Sequence, residues 1–420
     1  MKHLIITLML LLNSGILLCQ YDVIDDSTFS EDGVSILPFS LSARQGMILQ
    51  PDGKLVLLVW QHLPNIDPLF AVARLNTDGS LDSSYNNTGI NNESLPYDGY
   101  SNPIGILLPN NDFVIGGSDH FTPWYSRNVV LGKYLENGTM DPLFGNGGTA
   151  ILTLDSFNMR HEDLKLYKDT SLLVLVSASF SPNDNSPDIN KNLLYKLKLN
   201  GSIDSTFATN GILDIPLSAL SFVQKMAISD DGSIYMMGYA PDGFPDTKVV
   251  KFNADWTLDP GFQYVSAGLD SYFSNIGVDG DGKLLAISTK HTTGFRLARL
   301  MPDGTLDNSF SKDGVIEESF NLIGVEFGVG GGIGPMIEQP DGKLLFSVGG
   351  GAMAFRVNPN GTMDYSFDLD GIVQKVNGMD PFTLISYPSS GMALQPDKKI
   401  LFMTATEAGF IKILRLITRP

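Results

Sequence analysis

Four consecutive residues, Arg160, His161, Glu162 and Asp163, bring a guanidinium, an imidazole and two carboxylates into one short stretch of chain. Groups of these types can hold a polar ligand or a cation, and carboxylates beside an imidazole are the usual material of proton transfer. No established metal-ligand spacing accompanies them, so neither a metal nor another cofactor is expected. A salt-bridged loop in solvent is the competing reading, and residue type alone favours it. A second group, His120, Phe121, Trp124 and Tyr125, lies in the run SDHFTPWY and sets aromatic faces beside polar atoms, a combination suited to sugars or exposed peptide. Packing of that loop against its own sheet competes with that role.

Weaker chemical signals reduce to turns. Asp184, Asn185 and Asp188 offer oxygens to Ca²⁺, but the loop glycine and terminal Glu of an EF-hand are missing, so a polar loop is the default. Asp279-Gly-Asp-Gly282 aligns with hairpin turns elsewhere in the chain. His62, His120 and His291 fall at similar places in three repeats, but one of those repeats would stand well apart from the other two in a ring, so they are not assumed to share an ion. No nucleophile elbow, phosphate-binding glycine loop or zinc-protease helix is present. No catalytic residue is therefore assigned.

The elements that must position these groups are repeats. Asp-x-Ser-aromatic, with variations, recurs seven times, ending at Phe29, Tyr85, Phe144, Phe207, Phe262, Phe310 and Phe367. Alternating with it is a turn motif, QPDGKLV at Gln50, PNNDFV at Pro109, KDTSLL at Lys168, DDGSIY at Asp230, DGDGKLL at Asp279, QPDGKLL at Gln339 and QPDKKIL at Gln395. Pro presets φ, Asp bonds its own backbone and Gly accepts a positive φ, so each copy joins two strands in a tight hairpin. The flanking runs are apolar on both faces, as a sheet sandwiched between two others requires. A period of this size signals a solenoid or propeller.

Four strands per unit and seven units predict an all-β, seven-bladed β-propeller of antiparallel blades. The chain starts within the fourth-strand portion of a unit and stops after a third strand, so residues 33–39 are expected to pair outside residues 411–417 and close the ring. In that architecture Arg160–Asp163 falls at a mouth of the central channel, where other copies carry small or apolar residues. The pattern RLNxDGxLDxSF followed by QPDGKLL, clearest at Arg74–Tyr85, Gln50–Leu55, Arg299–Phe310 and Gln339–Leu345, resembles the delta-60 repeat family of bacterial β-propeller proteins. The resemblance implies an extracytoplasmic propeller with no general enzymatic activity. KDTSLL, DPGF at Asp259 and QPDKKIL depart from it.

Residues 1–19 read as a signal peptide and 20–420 as one propeller domain, exported to the periplasm or beyond. Cys19 is the only cysteine; Leu18 stands where a lipobox wants a small residue, which disfavours lipid anchoring. A net charge of −18 opposes nucleic acid, and no later apolar run is long enough to span a membrane. The expected protein is a monomeric, non-enzymatic binding or scaffold module for protein or glycan. A hydrolase or lyase with a polar site at the central channel, and a purely structural spacer in the cell envelope, are the alternatives.

Overall fold

The computed structural model describes residues 23–30, 32–40, 46–61, 69–92, 95, 103–119, 128–182, 187–241, 247–266, 274–290, 294–319, 333–348, 353–367, 371–374, 391–405 and 410–418. They form seven antiparallel sheets, with one 3-10 turn at Tyr85–Asn87 as the only helix among them. From the innermost strand outwards, blade 1 is Gly46–Leu49, Leu55–Gln61, Leu69–Leu75 and Ile90–Asn91. Blade 2 is Ile104–Leu107, Phe113–Ser118, Val129–Tyr134 and Thr149–Leu152, and blade 3 is Asn158–Tyr167, Ser171–Phe180, Ile189–Lys198 and Ile212–Ile215. Blade 4 is Phe222–Ile228, Ile234–Tyr239, Thr247–Phe252 and Leu258–Ser266; blade 5 is Ser274–Val278, Leu284–Lys290, Gly294–Leu300 and Val315–Ser319. Blade 6 is Ile333–Glu338, Leu344–Val348, Met353–Val357 and Ile372–Gln374. Blade 7 combines Met392–Leu394, Ile400–Ala405 and Phe410–Thr418 with Val34–Ser40, and Val23–Asp25 pairs with the end of its third strand. The chain is thus a seven-bladed β-propeller.

Each innermost strand contacts the innermost strand of the next blade, and that of blade 7 contacts that of blade 1. In blade 7 the register is Val34 opposite Leu414, Ser35 opposite Ile413, Ile36 opposite Lys412 and Leu37 opposite Ile411.

The period-2 side-chain alternation of a strand explains why the runs are apolar throughout. In the second strand of blade 3, Leu172, Val174 and Val176 pack towards blade 2, while Leu173 and Leu175 pack towards blade 4. The same division gives one apolar cluster at each of the seven blade interfaces.

Where a turn motif lacks its glycine, another residue takes the left-handed conformation. Lys168 (φ 49°) and Asp169 (φ 54°) do so in KDTSLL, and Lys398 (φ 67°) in QPDKKIL, at a cost of about 1–2 kcal/mol each. The DPGF copy is absorbed into the long outer strand Leu258–Ser266. Among the described residues no helix is long and apolar enough to cross a membrane.

Candidate functional site

The most repeated ionisable residues build the ring. In blade 1, Asp82 Oδ1 accepts bonds from Ser84 N (3.0 Å) and Ser84 Oγ (2.6 Å), which fixes the turn that delivers Tyr85. Its Oδ2 meets Arg74 Nε at 2.8 Å and Lys54 Nζ at 3.1 Å. The Arg74 guanidinium stands 4.8 Å from the Tyr85 ring centroid and donates to Glu136 O of blade 2 at 2.5 Å. Tyr85 itself lies over Gly138 of blade 2, where a Cβ would come within 2.6 Å of its ring, and Asn86 N donates to Asn137 O. Aromatic plug, ion pair and backbone bond together latch one blade to the next.

Arg299, Asp307, Lys283 and Phe310 repeat the latch in blade 5, Arg356, Asp364, Lys343 and Phe367 in blade 6, and Arg415, Asp26, Lys399 and Phe29 in blade 7. Lysine stands in for arginine in blades 2 and 3, where Lys133 meets Asp141 at 2.8 Å and Lys196 meets Asp204 at 3.1 Å. The basic partner was not recognised from the sequence. A signal existed: it lies eight positions before the motif Asp, as at Arg74 and Asp82 or Arg299 and Asp307.

Lys54 follows the first strand of blade 1, so its contact with Asp82 puts the hairpin turns and the Asp-x-Ser-aromatic turns on one face. Arg160–Asp163 lies towards the opposite face. These four residues are not a solvated loop; they belong to the innermost strand of blade 3, Asn158–Tyr167. A β-bulge between His161 and Asp163 leaves Glu162 as the extra residue, which turns neighbouring side chains in different directions. The His161 ring packs against Gly116 of blade 2, and the His161 backbone N–H donates to Ser118 Oγ at 3.0 Å. Asp163 is fully buried and accepts from Leu164 N (3.0 Å) and from Met226 N of blade 4 (2.9 Å). Burial raises its carboxyl, but Lys165, Lys225 and these two N–H groups outweigh that and hold it below the usual carboxylate range.

Glu162 accepts from Ser177 Oγ at 2.6 Å and lies 3.3 Å from Arg160 Nε. Burial pushes its carboxyl up to about 7 against the opposing pull of Arg160, Ser177 and Lys225. Arg160 alone of the four extends into solvent, its side chain 55% exposed.

Beside Arg160 opens a cleft of about 250 Å³. It lies where the start of the blade 3 inner strand, the end of its second strand, the start of its third and the start of the blade 4 inner strand meet. Asn158, Arg160, Ser177, Ser179, Asn190 and Lys191 supply its main polar lining, and Phe222 an aromatic one. Phe222 stacks on Tyr239 with ring centroids 5.9 Å apart. Asn192 closes the floor by donating to Leu220 O (2.8 Å) and accepting from Val223 N (3.3 Å).

His120, Phe121, Trp124 and Tyr125 lie outside the described residues, as do His62, His291, Asp184 and Asn185. The stem of the aromatic loop is described: Asp119 N donates to Asn128 O (3.0 Å), and Asn128 N to Asp119 Oδ1 (2.6 Å). Since Ser118 touches His161, that stem adjoins the inner strand of blade 3. The cleft residues, Asn and Ser drawn from four strand ends, carry no motif by which sequence could have joined them. Among the described residues no three His, Cys, Asp or Glu gather as a metal site would require.

The family model described as "Domain of unknown function (DUF5122) beta-propeller" matches residues 50–85, 230–262 and 280–310. These segments run from hairpin turn to motif aromatic in blades 1, 4 and 5, and they support a propeller repeat family. No curated protein matches the chain in sequence. Among solved structures, a streptogramin B lyase is similar with a TM-score of 0.53 and 13% identity, over 91% of this chain and 97% of that one. Virginiamycin B lyase from Staphylococcus aureus gives 0.47 and 11%, over 91% and 98%. An α-L-arabinanase from Penicillium chrysogenum gives 0.42 and 10%, over 92% and 96%. At such identities the likeness is one of fold alone.

Proposed function

We propose that the chain is an exported binding module of delta-60-type repeats, and that it recognises a glycan in the polar cleft between blades 3 and 4. The observation that carries this reading is the cleft lining: amides and hydroxyls from separate strand ends surround a partly exposed phenyl ring. Sugar hydroxyls each need a donor and an acceptor, and sugar rings pack on aromatic faces. The reading as a module for export rests on residues 1–19, and the Asp119–Asn128 stem of blade 2 adjoins the inner strand of blade 3 that lines the cleft. The test is a glycan array probed with the purified domain and with a Ser179→Trp variant that fills the cleft. Binding should disappear in the variant; binding that persists unchanged defeats the assignment.

A second reading, a hydrolase or lyase on the channel wall, is favoured by one observation. The Glu162 carboxyl, raised to about 7, sits within electrostatic reach of Lys225 from the next blade, the setting a general acid needs near neutral pH. Turnover of a bound glycan that is abolished in Glu162→Gln, with binding intact, would establish it; binding without turnover in the wild type would exclude it.

A further inference from the structure

The geometry points to a carboxylate-bearing saccharide as the ligand of the cleft, with the terminal nitrogens of Arg160 receiving the sugar carboxylate. This inference rests on the glycan-binding reading above and narrows it to one chemical class.

The sign of the exposed charge in the cleft favours an anion. The whole chain carries −18, a surface that repels anions. Around the cleft the order is reversed. The carboxylates there are withdrawn, with the side chains of Glu162 and Asp163 only 6% and 2% exposed, whereas Arg160 and Lys191 are 55% and 38% exposed. Lys225 adds a further cation whose field reaches both buried acids. Asp155, Asp188 and Asp214 are exposed carboxylates flanking the cleft; Asp188 accepts from the Ser181 hydroxyl at 2.6 Å, and the 3.4 Å contact of Asp214 with Lys191 is between two solvated groups and therefore weak. Within the lining itself the charged groups are the cations Arg160 and Lys191.

Arg160 is held in place to receive that anion. Its Nε faces Glu162 Oε1 at 3.3 Å, and among the described residues no hydrogen bond or ion pair engages its two terminal nitrogens. Glu162, itself fixed by Ser177, holds the guanidinium plane from behind and leaves the end-on edge open. That edge matches a carboxylate with two parallel N–H···O bonds. Glu162 is therefore a positioning residue, and Arg160 the recognition residue.

The remaining groups of the cleft suit a saccharide better than an acidic peptide. A peptide needs backbone partners along an extended path, such as a free sheet edge. The cleft instead offers separate side-chain groups, the Ser179 hydroxyl and the Asn190 amide among them, and Ser177 Oγ keeps acceptor capacity after donating to Glu162. Its volume of about 250 Å³ is suited to a single sugar ring, being below the roughly 300–1,000 Å³ of sites for larger organic ligands.

The experiment is isothermal titration of the mature domain with galacturonate, mannuronate and glucuronate oligomers, their methyl esters, neutral oligomers of matching linkage, and tetraglutamate. At least one uronate oligomer should bind, its methyl ester about ten-fold or more weaker. Arg160→Gln should erase that difference between acid and ester, and Arg160→Lys should restore only part of it, because a point charge lacks the fork. An ester or neutral oligomer that binds as well as the acid overturns the inference but leaves the glycan reading standing. Tetraglutamate binding more tightly than every uronate overturns the choice of saccharide. No binding by any sugar overturns both.

Discussion

Replacing Asp26 by Asn tests whether the latch in blade 7 is electrostatic. Asp26 Oδ2 lies 2.7 Å from Arg415 Nε, an ionic contact in which the N–H is not aimed at the oxygen, and 3.1 Å from Lys399 Nζ. Its Oδ1 accepts from Thr28 N at 3.0 Å and Thr28 Oγ1 at 2.6 Å. Asn preserves that acceptor and hence the turn, but removes the anion facing an Arg415 side chain only 6% exposed. A buried cation left unpaired costs about 3–5 kcal/mol, a large share of the ~5–15 kcal/mol of a typical domain. In blade 1 the paired Arg and Asp are eight residues apart in the chain, whereas Arg415 and its Thr28 neighbour are separated by 387. Loss of the blade 7 latch therefore loosens a strand that nothing nearby in the chain holds.

The same group fixes the pH dependence. Burial raises the Asp26 carboxyl, but Thr28, Lys399 and Arg415 outweigh burial and bring it to about 2 from 3.8. A depressed carboxyl contributes its stability above the unfolded value near 3.8 and gives it up as pH falls towards 2, about 2 kcal/mol in all. Urea unfolding followed by tryptophan fluorescence at pH 7 and pH 3, with amide exchange at Val34–Leu37, reads both effects. The variant should be about 3–5 kcal/mol weaker at neutral pH, with a shallower acid limb and faster exchange in that strand. A loss under about 1 kcal/mol, the range of an exposed pair, with those amides still protected, would refute the argument.

Gly138→Ala should cost about 2–4 kcal/mol, combining a left-handed residue with overpacking against Tyr85. Gly147→Ala, also left-handed (φ 63°) but with nothing within 4 Å of its Cβ, should cost only about 1–2 kcal/mol in the same thermal melts; equal losses would remove the plug from the account. Glu162 titrates with the opposite sign to Asp26. Its folded value of about 7 exceeds the usual 4.5, so the wild type should lose about 3 kcal/mol as pH rises from 4.5 through 7. Glu162→Gln should flatten that limb, and an unchanged slope would show that another group carries it. Trp256 occupies a left-handed position (φ 70°) and meets Phe207 edge-on at 4.6 Å. Trp256→Gly relieves about 1 kcal/mol of strain and forfeits about 3–5 kcal/mol of aromatic packing, so its urea midpoint should fall; a rise would mean that strain dominates.

The fold was legible because its determinants are local and repeated. Turn chemistry at QPDGK, doubly apolar strands and a fixed period each require only neighbouring residues, and seven copies average out departures such as Lys168 or Lys398. The latch was half legible: the motif Asp and aromatic stood out, but their basic partner lies within an apolar strand that reads as core. The 160–163 cluster was legible in composition and not in conformation. Its charges suggested a loop, because sequence has no term for a bulge or for the paired ten-residue strands Asn158–Tyr167 and Ser171–Phe180 that extend this blade. The cleft was not legible, since Asn and Ser are ordinary at strand ends and acquire meaning only when four such ends converge.

The division between latch and cleft narrows where function can reside. Across the blades, the motif Asp is consumed by a basic partner of the same sheet, and the arginine of blades 1, 5 and 7 also reaches a carbonyl of the following blade. Those charges are committed to holding the ring, and altering them trades stability for nothing at the opposite face. Arg160, Glu162 and Lys225 belong to no latch. The corresponding inner strands Gly46–Leu49, Ile104–Leu107 and Met392–Leu394 fold without a single charged residue, so a propeller does not need them there. Keeping Glu162 ionisable and buried carries a cost near neutral pH, which an apolar residue would avoid. A group that weakens the fold where its counterparts do not is best accounted for by what it orients, and what Glu162 orients is Arg160 at the edge of the cleft.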